Sequence, residues 1–324
     1  MHTLPALLAS ITDYAEAHPF PAAPRELYAP CSYMLTLGGK RLRPALLLLG
    51  YDLFSDDVAR ALPAAWAVEL FHNFTLLHDD IMDAAPLRRG QPTVHTRWNI
   101  NTGILSGDVM LIHAYRHLAA SGDAALVADL VDIFNRVAIE VCEGQQYDMD
   151  FEQREDVRLE EYIRMIELKT AVLLGGALEM GARCAGAARA DREHLYHFGR
   201  LAGIAFQIQD DLLDTYGDPA KFGKQVGGDI LQNKKTFLVL KALETASEAD
   251  QTELVRWMHT PAEASGKVEA VRAIFDRNGI PDRAAAEKQH FQTEAFNHLD
   301  AVQTPDARKV SLRKIIEDLL NRDH

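Results

Sequence analysis

Apolar residues recur at helical spacing in nearly every long segment of this chain, and that periodicity restricts the possible folds more than any single residue does. Leu, Ala, Glu and Arg are abundant and β-branched runs are scarce, a composition that suits helices and not sheets. The pattern predicts helices over residues 3–17, 24–36, 44–54, 58–84, 101–120, 123–152, 159–185, 190–216, 235–246, 249–258, 262–278, 282–299 and 304–321. Their breaks are chemical. Pro19, Pro21 and Pro24 separate the first two helices, Gly38-Gly39 ends the second, and Pro44 starts the third. Residues 217–228 hold four glycines and one proline, which predicts a flexible loop. With no solenoid period and no low-complexity linker, residues 1–324 read as a single all-α domain.

Charge and cysteine usage exclude several classes. The formal net charge of −13 argues against general nucleic-acid binding, which needs a broad basic surface. Cys31, Cys142 and Cys184 are odd in number, far apart and in no ligand-like spacing, which fits a reduced cytoplasmic compartment. The N-terminal Met1-His2-Thr3-Leu4-Pro5 lacks the basic start of a signal peptide, and the apolar run 45–50 is far too short for a membrane span.

Two copies of one acidic pattern, D-D-x-x-D, stand out: Asp79-Asp80-Ile81-Met82-Asp83 and Asp210-Asp211-Leu212-Leu213-Asp214. On a helix the first and last carboxylates of each copy share a face one turn apart, and like charges that close destabilise the helix unless a cation sits between them. Asp79 with Asp83, and Asp210 with Asp214, can each pinch a Mg²⁺ whose remaining ligands are waters and substrate phosphates. A lone copy would read as a solvated helix face. Two copies, preceded by Phe74-Thr75-Leu76-Leu77 and Ile204-Ala205-Phe206, make that reading poor.

Basic residues accompany the acidic ones. In Gly38-Gly39-Lys40-Arg41-Leu42-Arg43-Pro44 the glycines let backbone approach a ligand, and Lys40 and Arg43 suit phosphate; a helix-capping turn with basic surface residues explains the same string as well. Leu87-Arg88-Arg89-Gly90 follows the first acidic motif closely enough to clamp a diphosphate held there. Gln207 shares the face of Asp210, whereas Lys169, Thr170, Lys224 and Lys234 are undistinctive one by one. His113 and His117 have the i,i+4 spacing of a metal pair but no third ligand, and Ser106-Gly107-Asp108 forms no nucleophile elbow.

Together, G-G-K-R-L-R-P, L-L-H-D-D-I-M-D, L-R-R-G, E-G-Q-x-x-D (Glu143 to Asp148), Lys169-Thr170, F-Q-x-x-D-D-x-x-D and G-G-D-I with a following lysine resemble the trans-isoprenyl diphosphate synthase (polyprenyl synthetase) family over about residues 35–240. The resemblance implies an isoprenoid-synthase helical bundle around a deep central cavity, assembled as a homodimer. It implies that Asp79, Asp83 and Asp210 contact three Mg²⁺ ions holding an allylic diphosphate, with Asp80, Asp211 and Asp214 in support. Arg88, Lys169, Lys224 and Lys234 would contact that diphosphate, and Gly39, Lys40, Arg43, His72 and Arg89 would hold isopentenyl diphosphate. Dipoles at Lys169, Thr170 and Gln207 would stabilise a carbocation, and the loop 217–234 would order over the bound substrates. The C-terminal tail, with Arg322 as its only base, is assigned no role.

The growing prenyl tail would run down the helix before Asp79, where Phe74 lies about 7.5 Å below the metal motif and Phe71 nearly a turn deeper. Phe74 as a floor beside the small Thr75 resembles geranylgeranyl (twenty-carbon) synthases, with farnesyl (fifteen-carbon) synthases as the alternative. A longer-chain synthase, a class I terpene cyclase and a non-catalytic subunit of a heteromeric synthase fit less well. A cyclase needs no site like Gly39-Lys40-Arg43, and such subunits tend to lose acidic motifs that are complete here.

Overall fold

The computed structural model describes residues 2–217, 227–262 and 264–321. Among these the regular structure is helical apart from one hairpin of two-residue strands. The N-terminal helices are α1 (Leu4–Ala17), α2 (Arg25–Thr36), α3 (Leu42–Asp52), α4 (Leu62–Met82), α5 (Val94–Arg97) and α6 (Ile100–Ala119). Then come α7 (Ala124–Gln153), α8 (Leu159–Ile166), α9 (Val172–Cys184) and α10 (Arg189–Tyr216). The remainder is α11 (Gly228–Leu231), α12 (Phe237–Thr245), α13 (Glu248–Met258), α14 (Lys267–Arg277), α15 (Ile280–Ala301) and α16 (Asp306–Leu320).

Besides the hairpin and the short α5, the described residues differ from the expected helices as follows. The helix expected over 58–84 opens with a 3₁₀ turn at Val58–Ala61 before α4. The helix expected over 159–185 is interrupted by a π turn at Glu167–Ala171. The helix expected from 262 begins only at Lys267, after a left-handed Gly266 with φ 81°. Part of the expected loop 217–234 is helical, as α11.

The chain forms two compact units. One comprises Met1–Arg136, Gly176–Tyr196 and Val302–Leu312. Here Pro44 to Asp52 of α3 are all buried, as expected of a helix apolar on every side. Gly181 lets α9 approach α3 so closely that a Cβ there would lie 1.9 Å from the Leu47 carbonyl oxygen. Gly107 does the same for α6 against α4, where a Cβ would sit 2.3 Å from His78 Nε2. The other unit comprises Val137–Gly175, His197–Ala301 and Arg313–His324. Its core gathers Phe151, Tyr162, Ile166, Ile208, Phe237 and Phe275. No helix among the described residues is long and apolar enough to cross a membrane.

Candidate active site

In the first unit the acidic motif closes α4. Asp79 and Asp83 lie one turn apart, Asp83 as the C-cap, where unsatisfied carbonyls already give the helix end a partial negative charge. Two carboxylates added there call for a cation. Asp80 lies about 100° further round the helix and turns inward, only 2% exposed. Both its oxygens accept from Arg88 Nε at 2.9 Å, and Arg88 Nη2 lies 2.8 Å from its Oδ1. The same Nη2 is 3.4 Å from Asp79 Oδ2. Burial pushes the Asp80 carboxyl up, with Arg88 pulling it back. Asp80 thus orients Arg88 across the motif.

Arg88 and Arg89 sit on a hairpin that the helical periodicity does not reveal. Leu87 pairs with Pro92 and Arg88 with Gln91, leaving Arg89 (φ 53°) and Gly90 (φ 76°) as the central residues of the turn. Positive φ at both positions is the type I′ arrangement, for which glycine is suited and arginine is not. The left-handed Arg89 is held against the chain at Gly39: a Cβ on Gly39 would lie 2.8 Å from Arg89 Nη1. Only a glycine admits that approach, and its φ of 138° favours glycine too.

Beside it, Arg43 Nη1 donates to His72 Nε2 at 3.0 Å. A guanidinium only donates, so Nε2 must be an acceptor and the ring proton resides on Nδ1. Burial, and after it the charges of Arg43, Arg89 and Arg88, hold His72 well below the usual imidazole range, so it stays neutral. Burial likewise draws Arg43 down to about 10, opposed by Glu69 and assisted by Arg89. Glu69, 8% exposed, is a buried counter-charge that sequence reasoning passed over. Its one signal is a lone acid inside the apolar run Trp66–Leu70. Arg43 Nε is buried without a hydrogen-bond partner, an orphaned donor beside a cationic cluster. Gly39, Arg43, His72 and Arg89 therefore come together as expected, and Lys40 stands exposed next to them. The cluster can accept an anion that carries several oxygens.

Up the same helix, Phe74 packs between His78 (ring centroids 4.7 Å) and Phe71 (5.8 Å), and Phe71 meets the edge of Phe134 at 5.1 Å. Thr75 caps its own hydroxyl on the His72 carbonyl at 2.8 Å.

The second unit holds the second motif near the end of α10. Asp210 is half-buried and Gln207 lies one turn before it. Asp211 again points inward, 8% exposed, and burial pushes it up to about 8 against the hydrogen bonds it accepts from Tyr162 and the Phe237 amide. Asp214 Oδ2 accepts from the Asp229 amide at 3.0 Å, at the start of α11. Lys234 lies 3.8 Å from Asp229. Lys169 and Thr170 occupy the π turn, where the Val172 amide reaches back to the Glu167 carbonyl, and Lys169 Nζ bonds Asp148 Oδ2 at 2.5 Å. Such turns recur at functional sites because they widen the helix locally. Nothing in the local sequence announces this one.

Among the described residues no three His, Cys, Asp or Glu side chains converge as a preformed metal site. Two carboxylates at each of two negatively polarised helix ends fit Mg²⁺, which takes few protein oxygens and fills its shell with water and phosphate. His113 and His117 instead line a cavity of about 210 Å³ with His18, Phe20 and Arg41, and burial draws His117 down to about 4. Lys224 and the rest of 218–226 in the expected closing loop lie outside the described residues, as does Arg322.

The polyprenyl synthetase family model matches residues 24–275. The short chain isoprenyl diphosphate synthase of Methanothermobacter thermautotrophicus is 38% identical over 301 residues, covering 93% of this chain and 92% of that protein. A crystal structure of geranylgeranyl pyrophosphate synthase superposes with a TM-score of 0.95 at 44% identity, covering 99% of each chain. A polyprenyl synthase from Caulobacter crescentus CB15, solved complexed with calcium and isoprenyl diphosphate, superposes with a TM-score of 0.84 at 26% identity, over 99% of this chain and 95% of that one. The nearly all-helical fold is that of isoprenyl diphosphate synthase structures, and this chain is a prenyltransferase that belongs to the polyprenyl synthetase family.

Proposed function

We propose that the chain is a short-chain prenyl diphosphate synthase that condenses isopentenyl diphosphate with an allylic diphosphate, and that its main product is geranylgeranyl diphosphate. The observation that carries this reading is the pairing, within one unit, of a metal-suited carboxylate pair with a separate cationic cluster. Asp79 and Asp83 supply the first, and Arg43, His72 and Arg89 against Gly39 supply the second. A cyclase needs one diphosphate site, whereas condensation needs two.

Asp79, Asp83 and Asp210 are the metal-facing carboxylates of this reading. Bound Mg²⁺ would offset the charge of the allylic diphosphate and ease the departure of pyrophosphate. Arg88, Lys169, Lys224 and Lys234 add donors to that leaving group, and Arg88 comes pre-oriented by Asp80. The carbon–oxygen bond breaks with its electron pair going to pyrophosphate. Lys40, Arg43, His72 and Arg89 hold isopentenyl diphosphate so that its double bond attacks the allylic cation, forming the new carbon–carbon bond. The neutral His72 adds an Nδ1–H donor without competing for the substrate's charge. Dipoles of Thr170, Gln207 and the Lys169 backbone stabilise the cation without capturing it. Loss of a proton to the released pyrophosphate regenerates a double bond. The exposed apolar residues Ile100, Ile104, Leu105 and Ile112 of α6 support a homodimer, expected as twice the chain mass in sedimentation equilibrium.

The purified chain, given Mg²⁺, isopentenyl diphosphate and one allylic primer, is expected to elongate the primer to the twenty-carbon product. Cyclised hydrocarbon from the primer alone, or inactivity without a partner chain, would overturn the reading. Phe74→Ala is expected to shift the product to longer chains, with Phe71 and Phe134 left as the next barrier. Chromatography of the dephosphorylated products decides it, and an unchanged distribution removes Phe74 as the floor.

A further inference from the structure

The second carboxylate of the second acidic motif is committed to the protein's own chain. Asp211 Oδ2 accepts from the Tyr162 hydroxyl at 2.6 Å and from the Phe237 amide at 2.8 Å. Phe237 opens α12 directly after its N-cap Thr236, three residues beyond Lys234. The other end of the same segment is tied to α10 as well. The Gly227 amide donates to the Asp214 carbonyl at 2.6 Å, and the Asp229 amide donates to Asp214 Oδ2 at 3.0 Å. Between these ends the left-handed Asn233 (φ 57°) is gripped by Lys267, only 1% exposed, whose Nζ donates to Asn233 Oδ1 at 2.5 Å and to the Thr260 carbonyl at 2.6 Å. The Lys234 amide closes the turn on the Asp229 carbonyl at 2.9 Å.

We propose that Asp211 is a positioning residue and not a metal ligand. With Tyr162 and the Phe237 amide it pins the segment Gly227–Phe237 to α10, and so fixes Lys234 relative to Asp210. The geometry explains why both donors converge on one oxygen of a side chain that lies about 100° round the helix from Asp210. The role rests on reading Lys234 as a diphosphate contact and Asp210 as a metal ligand.

The two possibilities for Asp211 separate by isostere. Asp211→Asn keeps an oxygen that accepts from both donors but carries no charge, Asp211→Ala removes the acceptor, and Tyr162→Phe removes one donor. Two readouts apply to each full-length variant: the rise in melting temperature caused by Mg²⁺ with inorganic pyrophosphate, and kcat and KM for the allylic substrate against Mg²⁺ concentration. Asp211→Asn is expected to keep the wild-type pyrophosphate shift and a Mg²⁺ half-saturation within about twofold, and Asp210→Asn to lose the shift. Asp211→Ala is expected to lower kcat by about 10- to 100-fold and to raise KM, with Tyr162→Phe between the two. A Mg²⁺ half-saturation raised about tenfold or more in Asp211→Asn, or Asp211→Ala matching Asp211→Asn in kcat, overturns the proposal. If the wild-type chain binds Mg²⁺ and pyrophosphate but transfers no prenyl group, the functional reading fails while the thermal shifts still decide the place of Asp211.

Discussion

Asp79→Asn is expected to lower kcat for prenyl transfer by at least about 10³-fold while leaving the fold intact, equivalent to roughly 4 kcal/mol of lost transition-state stabilisation. The substitution removes a charge and almost no volume. Arg88 Nη2, 3.4 Å from Asp79 Oδ2, retains an amide oxygen to meet, and its stronger attachment to Asp80 is untouched. What is lost is an anionic oxygen at the negatively polarised end of α4, where in the proposed reading a cation would offset both carboxylates at once. Incorporation of labelled isopentenyl diphosphate measures the rate, and circular-dichroism melting checks the fold. A variant within tenfold of wild type would remove Asp79 from the metal-facing set.

Gly144→Ala is expected to destabilise the protein by about 2–3 kcal/mol and to lower activity by about 10²-fold. A Cβ at position 144 would stand 2.2 Å from the Lys169 amide nitrogen and 2.6 Å from its Cα. Both are backbone atoms, so no rotamer change relieves the overlap. The π turn cannot retreat either, because a Cβ on Gly203 of α10 would already lie 2.6 Å from Ala171 Cβ on its other flank. α7 must therefore move away or Lys169 and Thr170 must shift, and a displacement near 1 Å at a site of this kind is costly. Thermal melting and steady-state kinetics on the same preparation test both parts. Wild-type stability with wild-type activity would show that the turn tolerates a methyl group.

The acidic motifs were legible because their logic is local. A spacing of four residues puts Asp79 with Asp83, and Asp210 with Asp214, on one face whatever the rest of the chain does. The same geometry, carried one residue further, sends Asp80 and Asp211 inward, and their burial at 2% and 8% follows that rule. The hairpin at Leu87–Pro92 was not legible as regular structure, since two-residue strands carry no periodicity, although Arg-Gly at its turn hinted at positive φ. The π turn at Glu167–Ala171 left no mark, because one extra residue per turn barely disturbs an apolar pattern already drifting over two helices.

By itself the sequence determined the helical class, the two paired carboxylates and the kinds of cation available to meet a diphosphate. These depend on residue type and short spacing, which a helix converts to faces without outside help. Only the tertiary structure decided which side chains work as pairs. Arg89 rests on Gly39, Glu69 balances Arg43, and Tyr162 reaches Asp211 across 49 residues of sequence. Such partners are chosen by what packing leaves within hydrogen-bonding distance and by the cost of burying a polar group alone. No local propensity records that choice.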